Sequence, residues 1–83
     1  MSLLDLTRSL QSHLTTPPDQ LEDISQIYDQ LIEVIIRHNQ RYYQESDPLI
    51  VDYEYDQLFD YLKKIEKTYP DLISPSSPTQ RIA

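Results

Sequence analysis

Five residues in one short stretch carry most of the chemistry this sequence can offer: Tyr42 and Tyr43, then Asp52, Tyr55 and Asp56. A phenol face attracts a cation with about 0.5–2 kcal/mol, and each charge-assisted hydrogen bond to a carboxylate adds about 1.5–3 kcal/mol. Such a set suits a flat, positively charged ring. The turn signal Ser46-Asp47-Pro48 lies between the tyrosines and the acids. Packed neighbouring elements are usually joined by about four to six residues, so the end of one helix and the start of the next are expected to meet in one small aromatic, acidic cleft. A structural alternative stands beside this reading. In it Asp52 caps a helix, Asp56 is an acid favoured by the helix dipole, and Tyr42 and Tyr55 are core aromatics.

Other chemistries find little footing. Cysteine is absent, and no serine, histidine and acid stand in an arrangement that would activate a nucleophile. No catalytic residue is assigned. His13 and His38 are far apart and neither HxxxH nor DxDxDG spacing occurs, so no metal site is assigned either. His38 lies on the apolar line of its helix and reads as a core or cleft-wall residue. Asp52 and Asp56 are one helical turn apart, but positions at a helix start keep both ionised, whereas acid–base work needs their pKa values driven apart. Glycine is also absent, which excludes phosphate-cradling loops built on glycine backbone geometry.

The 83 residues make one small domain near the lower limit for a self-sufficient core. A net charge of -7 and a pI near 4.5 argue against this chain gripping a phosphate backbone itself. No run approaches the roughly 20 apolar residues that span a bilayer. Residues 1–14 lack the basic start and apolar centre of a signal peptide, which makes a cytoplasmic location the expectation.

The elements that would position the cluster follow from periodicity. Leu3, Leu6, Leu10 and Leu14 predict a short amphipathic helix over residues 2–13, packing on the next segment. Thr16-Pro17-Pro18-Asp19 predicts the start of a second helix. Leu21, Ile24, Tyr28, Leu31, Ile35, His38 and Tyr42 give it one buried line, widened by Ile27, Ile32, Val34 and Ile36. A stripe that broad contacts two neighbours, so this is the central helix, ending near residue 43 or 45. Asp52 is the expected N-cap of a third helix whose buried face is Tyr55, Leu58, Phe59, Leu62, Ile65 and Tyr69. Pro70 ends it. Residues 70–83 hold three prolines without helical period and read as an extended tail. The fold class is all-α: residues 1–16 an N-terminal extension, 17–69 a helical hairpin, and 70–83 a linker.

RHNQRYYQESDPLIVDYEYDQLFDYLKKIEKTYPDLISPSSPTQR, taken as a whole, resembles the N-terminal domain Ia of bacterial NAD-dependent DNA ligases over roughly residues 20–82. The RYY, DP, DxEYDxL, YPDL and SPTQR elements occur in the family's order and spacing. The resemblance implies a helical cap that binds the nicotinamide mononucleotide half of NAD through Tyr42, Tyr43, Asp52, Tyr55 and Asp56. It also implies a place in nick sealing during DNA replication and repair. A lysine of a following nucleotidyltransferase domain attacks the adenylyl phosphate, nicotinamide mononucleotide leaves, and AMP passes to the 5′-phosphate at the nick. The KxDG element carrying that lysine is absent here. Magnesium, zinc and nicked DNA would then belong to other domains, and this chain alone would be inactive. Some family members have histidine where Tyr43 stands, and residues 1–18 are an extension outside the match. The alternative is a stand-alone acidic interaction module, with the leucine-striped first helix as its working part.

Overall fold

A computed structural model of the chain describes residues 2–46 and 49–80. Among them there is no strand. Three helices, α1 (Leu3–Gln11), α2 (Ile24–Gln40) and α3 (Asp52–Thr68), alternate with short 3-10 turns at Pro18–Gln20, Pro70–Leu72 and Pro78–Gln80. The expected arrangement holds, with α2 in the middle and packed against both α1 and α3.

The core is the meeting of three apolar lines. Leu31, Val34 and Ile35 on α2 face Leu58, Leu62 and Ile65 on α3, all fully buried, and Leu10 closes the α1 side. Full burial of such side chains is worth about 1.5–3 kcal/mol each, which offsets the short length of α1. Leu3 and Leu6 pack against the same core, so the leucine stripe is largely spent on packing. Ser2 caps α1 by accepting a hydrogen bond from the Asp5 amide at 3.1 Å.

Three details of these helices differ from the sequence-based expectation. The second helix starts at Ile24 instead of at the prolines. Pro18–Gln20 forms only a 3-10 turn, and Leu21 is extended (φ -81°, ψ 135°) as it turns in to pack on the core. Asp52 is the first residue inside α3 and not its cap. Val51 holds the cap position, and its amide is bonded by the Glu54 side chain at 3.4 Å. Tyr42 leaves the buried line and is 51% exposed, because α2 runs on into a π-helical turn at Arg41–Glu45 that shifts the register of the last residues. Of the apolar segment Leu49-Ile50-Val51, only Ile50 is buried.

That π turn ends at Ser46, which adopts left-handed geometry (φ 51°, ψ 35°). Glycine usually takes this closing position. In its absence the serine carries a conformational cost of about 1–2 kcal/mol.

The segment after Pro70 is shorter and more folded than an extended tail. Its two 3-10 turns bring Ser77 to full burial, against α2 and α3. The anchor is Glu66, itself buried on α3. Its carboxylate accepts hydrogen bonds from the Tyr28 hydroxyl at 2.7 Å and from the Thr79 hydroxyl. Tyr28 Oη in turn accepts the Ser74 amide at 3.0 Å. Burial alone would raise the Glu66 carboxyl, but hydrogen bonds from Thr79, Tyr28, Ser77 and Gln80 outweigh it and hold the group below the usual range. The last three residues, 81–83, lie outside the described part, as does the Asp47-Pro48 turn.

Candidate functional site

At the end of α2 and the start of α3 the surface opens into a pocket of about 230 Å³ lined by His38, Asn39, Tyr42, Tyr43, Ile50, Asp52 and Tyr55. Four of the five residues singled out from the sequence therefore share one cavity. Asp56 is exposed and is not among the lining residues, although its charge is felt by Tyr55.

Each wall has a local cause. The π turn presents Tyr42 and Tyr43 together, their rings edge to face at 5.0 Å with an interplanar angle of 85°. Without the extra residue in that turn, Tyr42 would continue the buried line of α2. From the opposite side Tyr55, one turn into α3, is half-buried and stacks on Phe59 at 6.2 Å and 21°. The Lys63 ammonium lies 4.9 Å from the Phe59 ring centre on the same helix. Burial, then the neighbouring Tyr43 and the Asp56 charge, push the Tyr55 phenol above its usual value, so it stays protonated at neutral pH. Asp52 sits at the rim in the first turn of α3, where helix dipoles favour a negative charge.

The floor was only partly legible beforehand. His38 is 3% exposed and lines the pocket, which unites the core and cleft-wall readings. Its Nε2 lies 2.7 Å from the Thr7 hydroxyl, and Thr7 donates its hydroxyl proton to the Leu3 carbonyl at 2.7 Å. Burial, followed by the Arg41 charge, lowers the imidazole pKa; Glu54 opposes this, and Arg8 adds a smaller lowering. His38 is therefore neutral at pH 7. Asn39 and Ile50 were missed. For Asn39 a signal existed, since it stands one helical turn before Tyr43 on the same face. Ile50 had none beyond its apolarity, because its placement depends on how the turn folds back.

Contacts from α1 brace the site from behind. Glu54, between Asp52 and Tyr55, accepts hydrogen bonds from the Arg8 guanidinium and from Gln11 Nε2, the latter at 2.8 Å. Those bonds, from Gln11 first and Arg8 second, hold the Glu54 carboxyl below its ordinary range. No group of three or more metal-ligating side chains occurs among the described residues. Nor is any helix there long and apolar enough to cross a membrane.

The described residues thus form a small all-helical domain with a phenol-walled, acid-rimmed pocket. Residues 21–83 match the family described as the DNA ligase-like, N-terminal NAD+-binding domain, and the chain belongs to that family. It is 53% identical over 62 residues to the DNA ligase of Aquifex aeolicus, a match covering 75% of this chain and 9% of that protein. It is similarly 59% identical over 56 residues to the DNA ligase of Sulfurihydrogenibium azorense, covering 68% and 8%, and 53% identical over 60 residues to that of Persephonella marina, covering 72% and 8%. The chain thus spans about a tenth or less of the length of these relatives. No solved structure matches it.

Proposed function

We propose that this domain binds the nicotinamide mononucleotide half of NAD+ and orients it as the leaving group when an enzyme lysine is adenylated in DNA nick sealing. The observation that carries the reading is the shared pocket of Tyr42, Tyr43, Asp52 and Tyr55. Its size is selective. A cavity of about 150 Å³ holds benzene, so about 230 Å³ takes one six-membered ring with a substituent. Larger ligands generally occupy pockets of about 300–1,000 Å³, so the ribose phosphate and the adenylyl half would extend outside. Three phenols and a carboxylate attract a pyridinium, and the acidic surface of the chain works in the same direction.

The contribution is positioning and electrostatics. Asp52 and, beyond the pocket's edge, Asp56 would bind the amide or ribose of the departing group, while the tyrosines hold the ring flat. Cation–π contacts of about 0.5–2 kcal/mol and charged hydrogen bonds of about 1.5–3 kcal/mol compete with an association cost of several kcal/mol. Binding by this domain alone is therefore weak, and a nucleotidyltransferase domain of the whole enzyme supplies the remaining contacts with NAD+. Nicked DNA, magnesium and zinc belong to other domains in this reading, and the setting is the bacterial cytoplasm.

In the whole enzyme, Tyr55→Ala and Asp52→Asn should abolish lysine adenylation from NAD+ while sparing the sealing of a pre-adenylated nick. Equal loss of both steps would count against a cofactor role. The interaction-module alternative loses support here because Leu10 is fully buried and Leu3 and Leu6 pack on the core.

A further inference from the structure

His38 has one polar atom whose capacity is unused. The Thr7 hydroxyl has a single proton, and the Leu3 carbonyl takes it at 2.7 Å. Toward His38 the same oxygen can only accept, so Nε2 carries the imidazole proton across the 2.7 Å contact. In the neutral ring Nδ1 is then a bare lone pair. It is buried and has no hydrogen-bond partner among the described residues. A buried acceptor without a donor costs about 1–3 kcal/mol, and in native proteins such a group calls for an explanation. His38 lines the same pocket as Tyr42, Tyr43, Asp52 and Tyr55.

We infer that His38 Nδ1 is the acceptor for the carboxamide N–H of the bound pyridinium, and that Thr7 acts on specificity by holding the imidazole in the tautomer that leaves Nδ1 unprotonated. This rests on the proposed binding of nicotinamide mononucleotide and adds a basis for choosing an amide over an acid. An acceptor-only nitrogen attracts an amide N–H and repels the carboxylate of nicotinic acid mononucleotide, and Asp52 at the rim repels it as well. Neutrality of the ring also avoids placing an imidazolium beside a pyridinium. In the structure Nδ1 lies beneath the surface, so engagement requires the pocket wall to part around the ring. Tyr42 and Tyr43, 51% and 74% exposed, can turn without disturbing the core.

The proposal makes α1 part of the site. Thr7 lies in the extension that precedes the family-matched residues 21–83, yet it decides which face of the imidazole hydrogen bond the ligand meets. Thr7 is a positioning residue, and its effect should show in specificity in addition to any loss of stability.

Side-chain ¹H–¹⁵N spectra of the 83-residue chain test this directly. Before addition of ligand, Nε2 should be protonated and Nδ1 bare; the opposite tautomer would overturn the proposal. Titration with nicotinamide mononucleotide, followed to saturation of the Tyr42 and Tyr55 ring signals, should shift Nδ1 in the direction of an accepted hydrogen bond. Nicotinic acid mononucleotide should bind at least about tenfold more weakly, the equivalent of one hydrogen bond plus repulsion. Thr7→Val and His38→Gln should each reduce that preference, with helical circular dichroism unchanged for the variants compared. Ring signals that shift while Nδ1 stays still would refute the acceptor role and leave the proposed function standing. No shift at any lining residue at the highest attainable nicotinamide mononucleotide concentration would refute both.

Discussion

Glu66→Gln removes a charge and almost nothing else, so it isolates what the buried carboxylate contributes. In the folded chain that carboxylate accepts from Tyr28 and Thr79. Hydrogen bonds to a charged group are worth about 1.5–3 kcal/mol against about 0.5–1.5 kcal/mol for neutral pairs. Converting two of them should cost about 2 kcal/mol. Moreover, one amide oxygen cannot replace two carboxylate oxygens while the Tyr28 hydroxyl already accepts from the Ser74 amide. For a domain of this size each kcal/mol is about 4–8 °C in Tm, so a fall of about 8–16 °C is expected by circular dichroism near pH 7. The difference between wild type and variant should also depend on pH in a defined direction. The folded pKa of Glu66 lies below its reference value of 4.5, so its stabilisation is fully present above that value and is lost as pH falls through the lower folded value. The two proteins should converge in acid. A gap that stays constant across that window, or a variant as stable as wild type at neutral pH, would refute an ionised Glu66 as the anchor of the C-terminal turns.

Three further outcomes follow from the geometry. Tyr42→Ala, at an exposed position, should keep stability within about 0.5 kcal/mol of wild type while weakening nicotinamide mononucleotide binding about 2- to 30-fold, the range of one cation–π contact; equilibrium titration followed by NMR measures it. Ser46→Gly should stabilise the domain by about 1 kcal/mol in urea unfolding, since it relieves a side chain held at φ 51°. The His38 imidazole should titrate below 6.5 in an NMR pH series. Because its folded pKa is depressed, the unfolded chain binds the proton first, and stability should decline as pH falls from about 6.5 toward the folded value.

Much of the architecture is written in local periodicity. Leu31, Ile35 and His38 on one line of α2, and Leu58, Leu62 and Ile65 on one line of α3, are buried as their three- and four-residue spacing implies. The grouping of Tyr42, Tyr43, Asp52 and Tyr55 was legible too, since short connections leave helix ends close together. Groups that need a partner from far along the chain leave no such local mark. Glu66 resembles any surface acid of a lysine-rich helix end until Tyr28 and Thr79 arrive from positions 38 residues before it and 13 residues after it. The exposure of Tyr42 was hidden for another reason, because a π turn carries no periodicity of its own and its register depends on where the chain must go next.

The existence of the three α-helices, the apolar lines that form their core and the acidic-aromatic character of the site are properties of neighbouring residues, so the order of amino acids was enough to determine them. The protonation state of His38, the folding-back of residues 74–80 and the exclusion of Asp56 from the pocket wall are not. They depend on hydrogen bonds and packing between groups that meet only in three dimensions, such as Thr7 against His38 across 31 positions. Burial sets the strength of those contacts, and burial is a property of the assembled core.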